Sequence, residues 1–115
     1  MQEVALWQGK PFNFGFPSFT KYEITETRLI VEKGILTKRR DEIRLYRIRD
    51  IRTKRNLFER MIGIGDITVM SSDTSHPEFQ LRNIKQSSSV ADLLGAVVEK
   101  ARIKHRALEV TGLTE

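Results

Sequence analysis

The chain has 115 residues, a length typical of one domain with a single hydrophobic core. Its hydrophobic share of 39% and charged share of 30% are ordinary for a globular protein. It contains no cysteine, which excludes a disulfide framework, a thiol nucleophile and a thiolate metal site.

The N-terminal segment is rich in aromatic residues and in residues that interrupt regular structure. Its glycines and prolines are Gly9, Pro11, Gly15 and Pro17, and its large apolar residues are Leu6, Trp7, Phe12, Phe14, Phe16 and Phe19. We predict a short first strand at about 3–8, followed by an irregular segment whose aromatic rings pack against the core. An aromatic ligand groove is the alternative.

Two strands and two turns follow. Period-two alternation predicts a strand over 19–25, and the polar pair at 26–27 forms a tight turn into a second strand at 28–32. The next turn has two candidate positions. We favour Lys33-Gly34, because glycine adopts positive φ without steric cost, over a longer strand that would turn at Arg39-Asp41.

The central part of the chain alternates apolar residues with arginine. A strand is predicted from about 42 to 45, with a further strand-like run that begins near Ile51. The spacing of three between Ile48 and Ile51 breaks strict alternation. It predicts a bulge or a single helical turn near Tyr46-Arg47.

A helical turn and two more strands complete the β-rich part of the chain. Residues 57–62 have the pattern of one helical turn, which Gly63 closes. Alternation resumes over 66–71, a polar turn follows at 73–77, and the last strand is predicted at 78–84.

The hydrophobic period then changes to that of a helix. Val90, Leu93, Leu94, Val97 and Ala101 are spaced i, i+3, i+4, i+7 and i+11, with charged residues on the opposite face. Ser89 precedes Asp92 by three residues, which predicts a capping box at the helix start. We therefore predict an amphipathic helix at about 90–107 and a frayed tail over 108–115.

The residue pattern does not favour catalysis. His76 in a turn and His105 on the polar side of the terminal helix have neither a nucleophile nor metal-ligand spacing beside them. The glycines of Gly63-Ile64-Gly65 lack the further glycine and the Lys-Ser/Thr of a phosphate loop. We expect that the chain is not an enzyme and uses no cofactor or metal.

Positive charge is concentrated in the centre of the chain. The net charge is +5, but residues 38–60 carry ten lysines and arginines against four acids, a net of +6. Such a block attracts phosphates, anionic lipid or an acidic partner. The candidate binding residues are Lys38, Arg39, Arg40, Arg47, Arg49, Arg52, Lys54 and Arg55. Alternate arginines are also typical of the solvated outer face of strands, and we slightly favour this interpretation over a binding site.

Several short segments share a characteristic order and spacing. They are LWQGKP at 6–11, YEIT at 22–25, RLIV at 28–31, GIL at 34–36, EIRL at 42–45 with Ile48 and Asp50-Ile51, and RMIGIGDITV at 60–69. Together these segments resemble the bacterial PH (pleckstrin-homology-like) domain family. The resemblance covers about 6–105 of a single domain at 1–115. It implies a mainly β fold, a PH-like antiparallel barrel or roll of six to seven strands capped by the C-terminal amphipathic helix.

The resemblance also bears on ligands. The inositol-phosphate site of eukaryotic PH domains uses bases that flank the first strand-to-strand loop. We take that loop to be Glu26-Thr27, which is tight and acidic, with Lys21 and Arg28 as the bases near it. That site therefore does not carry over to this chain.

A non-catalytic interaction module is the function that this resemblance implies. We expect it to bind a protein partner or to self-associate, through an exposed strand edge or the basic face. Peripheral binding to anionic membrane lipid through 38–60 is the alternative, although no exposed aromatic is interleaved there for insertion. Nucleic-acid binding has weaker support, because Tyr46 alone would have to stack on bases. With neither a secretory signal nor an apolar span, we expect a cytoplasmic domain, peripheral at the inner membrane face if it binds lipid.

Overall fold

The structure is a computed structural model that describes residues 3–12, 18–55 and 57–111. Within these ranges the chain forms seven strands: β1 (Trp7–Gly9), β2 (Thr20–Ile24), β3 (Arg28–Lys33), β4 (Arg39–Arg44), β5 (Ile48–Lys54), β6 (Ile64–Ser71) and β7 (Glu78–Lys85). The helices are α1 (Leu57–Ile62) and α2 (Ser87–Thr111), and a 3-10 turn (Leu45–Arg47) joins β4 to β5.

The strands form two antiparallel sheets. One has the order β1-β2-β3-β4 and the other the order β5-β6-β7, so neighbours in sequence are neighbours in space. The sheets do not join into a closed barrel, and α2 packs against the 3-10 turn, β5 and β6. The predicted architecture of six to seven antiparallel strands with one C-terminal helix is confirmed.

The hydrophobic core combines both sheets with α2. Alternate residues of the strands point inward, such as Leu29 and Val31 in β3. The buried apolar residues of α2 are Val90, Leu94 and Val98. The predicted helix face is therefore rotated slightly, because Val98 is buried whereas Val97 is only half-buried.

Glycines with positive φ set two of the turns. β3 ends at Lys33, and Gly34 follows with φ of 121°, so the turn lies at the glycine as predicted and not at Arg39-Asp41. Gly63, with φ of 77°, ends α1 in the same way. L-residues with a side chain rarely adopt these angles, so glycine is required at both positions.

The predicted irregularity between Ile48 and Ile51 is also confirmed. The single helical turn is the 3-10 turn at Leu45–Arg47, and β5 begins directly after it at Ile48. The register between β5 and β6 shifts between Ile48 and Asp50. The chain thereby changes direction and passes from the first sheet to the second.

The boundaries predicted for the terminal helix are wrong at both ends. α2 begins at Ser87, so Ser89 does not cap it, and it continues to Thr111, so 108–111 is helical. Residue 86 makes the turn from β7 with φ of 54°, and its N–H donates to the C=O of Gly63. Ser87 is buried against Gly65 near the start of β6, and this packing fixes where α2 begins. The capping pattern in the sequence could not show this contact. Residues 112–115 lie outside the described part of the chain.

The N-terminal predictions need two corrections. The first strand is shorter than 3–8, because β1 spans Trp7–Gly9. β1 pairs with β2, so the first connection between paired strands is the one from the end of β1 at Gly9 to the start of β2 at Thr20. Glu26-Thr27 is the turn between β2 and β3, and the assignment of it as the first loop is wrong.

The prediction that the N-terminal aromatic and apolar residues are all covered is wrong in part. Trp7 is half-buried and packs against the core, but Leu6 is 41% exposed and Phe19 is 54% exposed. Phe14 and Phe16 lie outside the described residues. Packing in the core therefore does not explain the large aromatic side chain at Phe19.

Candidate functional site

The eight predicted basic residues are divided between two regions. Lys38, Arg39 and Arg40 lie at the start of β4, whereas Arg47, Arg49, Arg52, Lys54 and Arg55 lie in the 3-10 turn, on β5 and just after it. Residues 41–46, which are the rest of β4 and the first two residues of the 3-10 turn, separate the two groups along the chain. The first group therefore lies with the first sheet, and the second lies with the 3-10 turn and the second sheet.

The group at the start of β4 is paired with carboxylates of its own sheet. The pairs are Lys38 Nζ with Glu32 Oε1 at 3.7 Å, Arg39 Nε with Asp41 Oδ2 at 3.2 Å, and Arg40 Nε with Glu42 Oε2 at 3.4 Å. Exposed pairs of this kind contribute little to stability, but they reduce the local charge surplus. This group has the character of a solvated strand face.

A concave feature of the second region is a groove between β5 and α2, hereafter the β5–α2 groove. Its volume is about 440 Å³. It is lined by Ile48, Arg49, Asp50, Ile51, Gly95, Val98, Glu99, Arg102, Ile103 and Arg106. Of the predicted basic residues, Arg49 alone is among this lining.

One wall of the groove is an edge strand. β5 pairs with β6 on one side and has no described strand on the other. An edge strand presents unpaired N–H and C=O groups to an incoming chain. The N–H of Ile51 donates to Oδ1 of its neighbour Asp50 at 2.9 Å. This one backbone donor of β5 is therefore already bonded to a side-chain carboxylate.

The charges around the groove are unequally paired. Oδ2 of Asp50 accepts a hydrogen bond from Nε of Arg52 at 3.0 Å. In contrast, Arg49, Arg102 and Arg106 make no ion pair with any carboxylate in the described part of the chain. Three exposed guanidinium groups therefore surround the groove with free donors.

Apolar surface lies between these charges. Ile51 is half-buried, and Ile103 on the facing helix is 63% exposed. Gly95 forms part of the α2 wall, and a Cβ built there would meet no atom within 4 Å. Because glycine weakens a helix and packing does not require it here, its effect is to leave the groove open.

The two walls of the groove are tied together at Tyr46 in the 3-10 turn. Its ring stacks on the imidazole of His105, with centroids 3.7 Å apart. The guanidinium of Arg47 lies 5.7 Å from the centroid of the same Tyr46 ring, and a hydrogen bond to the Tyr46 side chain raises the pKa of Arg47. Arg47 thus contacts the residue that joins the two walls, although it does not line the groove itself.

Sequence reasoning missed most of the groove. It placed charged residues on the polar face of the helix, but it did not single out Arg102, Arg106 or Gly95. The neighbouring pair Lys100 and Lys104 has the same spacing and the same exposure. No signal in the sequence therefore distinguishes the pair that lines the groove from the pair that does not.

A second exposed feature lies at the turn between β3 and β4, hereafter the β3–β4 tip (residues 34–38). Ile35 is 61% exposed and Leu36 is 99% exposed. The exposed Phe19 is adjacent, because its C=O accepts the N–H of Gly34 at 3.0 Å. Lys38, the first of the predicted basic residues, lies two positions after Leu36.

The histidines have structural contacts. Nε2 of His76 lies 3.2 Å from Oδ1 of Asp41, and its ring stacks on Phe79 with centroids 5.4 Å apart. His105 contacts Tyr46 and Glu109. Among the residues that the structure describes, no cluster of three potential ligands could hold a metal ion, and no helix is long and apolar enough to cross a membrane.

Most of the chain matches a known protein family. Residues 12–98 match the model of the family described as bacterial PH domain. This range includes β2 to β7 and the first half of α2. No curated protein and no solved structure matches the chain.

Proposed function

Because this chain belongs to the bacterial PH domain family, we propose that it is a non-catalytic interaction module that binds a segment of another protein. The segment lies in the β5–α2 groove and adds as a strand to the free edge of β5. The observation that carries this proposal is an unpaired strand edge beside an open groove. Main-chain hydrogen bonds supply affinity in this mode, and alternate side chains supply specificity.

The charge of β5 favours a different protein over a second copy of the chain. Arg49, Arg52 and Lys54 stand on the strand with Asp50 as its one acid. Antiparallel pairing of two β5 strands would bring these cations close to one another, and like charges opposite each other are destabilising. We expect a monomer by light scattering at high concentration. A stable dimer that buries β5 would contradict the proposal.

The proposal can be tested with peptides selected from a random display library on the immobilised chain. Backbone amide shifts of the ¹⁵N-labelled protein would then map each selected peptide. We expect the largest shifts in β5 and in the part of α2 between Gly95 and Arg106. Selected peptides that leave the β5 amides unchanged would overturn strand addition.

A pair of variants on α2 separates groove binding from other effects. Gly95→Phe fills the groove from a position where a Cβ meets no atom, and should abolish peptide binding without unfolding the chain. Ala96→Phe adds the same ring at the adjacent exposed position outside the groove lining, and should bind as the wild type does. Equal binding by both variants would contradict the proposal.

The β3–β4 tip supports a second candidate function, peripheral contact with an anionic membrane. Insertion of Ile35 and Leu36 would remove apolar surface from water, worth about 1.5–3 kcal/mol for each side chain if fully buried. Lys33 and Lys38 beside them would each add about 1 kcal/mol near an anionic surface. This candidate rests on the exposure of the tip, independently of the β5–α2 groove.

Co-sedimentation with vesicles tests this second candidate. We expect the chain to bind phosphatidylglycerol vesicles at low salt and not phosphatidylcholine vesicles. Leu36→Asp should reduce binding, whereas Val4→Asp, at a position 80% exposed but remote from the tip, should not. No dependence on the anionic lipid, or equal effects of the two substitutions, would exclude membrane contact through the tip.

A further inference from the structure

The arrangement of arginines in the β5–α2 groove indicates the chemistry of its ligand. Arg102 and Arg106 are four residues apart on α2, so they lie on one face of the helix, one above the other. Arg49 lies on the β5 wall. A segment that enters the groove therefore has guanidinium groups on both sides.

The acids of the groove do not neutralise these groups. The Asp50 carboxylate is bonded to Arg52 and to the N–H of Ile51, which leaves Glu99 as the remaining acid of the lining. Guanidinium groups bind carboxylates with two parallel, charge-assisted hydrogen bonds. The unpaired donors thus favour a ligand that brings carboxylates with it.

The spacing of the two helix arginines matches an extended chain. Four residues of an α-helix advance about 6 Å along its axis. In a strand, side chains on the same face repeat every two residues, or about 6.7 Å. An extended segment that runs along α2 therefore presents alternate side chains at nearly the interval that separates Arg102 from Arg106.

We propose that the partner segment of the β5–α2 groove is acidic, with Asp or Glu at alternate positions facing Arg102 and Arg106. The inference rests on strand addition to β5, as proposed above, and adds the chemical class of the partner. The side chains between the acids face away from α2 and are free to vary. Arg49 holds a further acid from the β5 side.

A defined peptide tests the inference. The probe is a nine-residue acetylated peptide of alternating threonine and glutamate, labelled with fluorescein and titrated by anisotropy at 50 and 200 mM NaCl. The matched peptide has glutamine for every glutamate. We expect the glutamate peptide to bind about tenfold or more tightly than the glutamine peptide, with weaker binding at the higher salt.

Charge reversals on two faces of α2 locate the effect. Arg102→Glu with Arg106→Glu should weaken binding of the glutamate peptide about tenfold or more. Lys100→Glu with Lys104→Glu makes the same change of charge at the same spacing outside the lining, and should weaken it less than about threefold. If the two double variants lose equal affinity for the glutamate peptide, the net charge of the protein explains the effect and the inference is wrong.

The outcomes separate the inference from the proposed function. If both peptides shift the β5 amides and bind equally, strand addition stands and the acidic preference is wrong. If neither peptide shifts the β5 amides, both are wrong. A twelve-nucleotide single-stranded DNA that binds more tightly than the glutamate peptide, and that depends on Arg102 and Arg106, would reassign the groove to nucleic acid.

Discussion

The ring of Tyr46 stacks on the imidazole of His105, with centroids 3.7 Å apart and ring planes 3° from parallel. Tyr46 lies in the 3-10 turn from which β5 starts, and His105 precedes the groove residue Arg106 on α2. This contact holds the two walls of the β5–α2 groove against each other. The position of one wall relative to the other therefore depends on residues 59 positions apart in the chain.

We expect His105→Ala to lower the free energy of unfolding by about 1 kcal/mol, because an offset or stacked aromatic pair is worth about that much. Amide exchange should accelerate in the last turns of α2, near 102–110. Lys104→Ala, at an exposed neighbouring position, is the control and should change stability by a few tenths of a kcal/mol at most. Equal stability of the two variants would show that the stack does not hold the helix.

Gly95→Ala should stabilise the protein. Alanine is favoured over glycine in a helix by about 1 kcal/mol, and the added Cβ meets no atom within 4 Å. The expected rise in Tm is about 4 °C. Ala96→Gly, the reverse substitution at the adjacent exposed position, is the control and should lower Tm by a similar amount. No gain from Gly95→Ala would mean that glycine is needed there for the fold itself.

Glu3 should make stability depend on pH in the acid range. Its carboxylate accepts hydrogen bonds from Thr27 Oγ1 at 2.6 Å and Thr25 Oγ1 at 2.9 Å, and Nε of Arg28 is 3.3 Å away. The bond from Thr27 is the largest cause that lowers the pKa of Glu3 below its ordinary 4.5. Burial opposes it with the next largest effect, and the bonds from Thr25 and Arg28 lower the pKa further. Because the folded-state pKa is lowered, the ionised Glu3 stabilises the fold above pH 4.5. This stabilisation is lost as pH falls through the lowered pKa.

The Glu3→Gln variant tests this dependence by urea unfolding at several pH values. At pH 7 it should be less stable than the wild type by about 1 kcal/mol, the net contribution of a typical hydrogen bond, because solvent screens this partly exposed carboxylate. The difference should shrink as pH falls below about 4.5. Glu26→Gln, in the exposed turn between β2 and β3, should leave the profile unchanged. A difference between Glu3→Gln and wild type that is constant with pH would contradict the linkage.

Ser87→Ala should increase stability or leave it unchanged. The Ser87 hydroxyl is fully buried and has no hydrogen-bond partner among the described residues. Replacing an unsatisfied buried hydroxyl by hydrogen removes a desolvation penalty of about 1 kcal/mol or more. Ser88→Ala, one position on and exposed, should have little effect. A loss of stability specific to Ser87→Ala would mean that the hydroxyl is bonded, for example through water.

The sequence predicted the strands well because a half-buried strand repeats every two residues. Ile67 and Val69 in β6, like Leu29 and Val31 in β3, follow from alternation and from the glycine and polar turns that bound them. The start of α2 was predicted wrongly at Ser89, because a capping pattern reports local hydrogen bonding and not the burial of Ser87. The same limit applies to Phe19, whose size predicted burial although it is exposed.

By itself, the sequence of this protein determined a mainly β domain with a C-terminal amphipathic helix and a surplus of positive charge in its centre. Local periodicity and turn chemistry are sufficient for that, since they act between residues a few positions apart. Only the tertiary structure decided which cations share a site. It pairs Lys38, Arg39 and Arg40 with nearby acids, and it places Arg49 across a groove from Arg102 and Arg106. The reason is physical, because the packing of α2 on the 3-10 turn and β5 is a long-range contact that no charge pattern along the chain encodes.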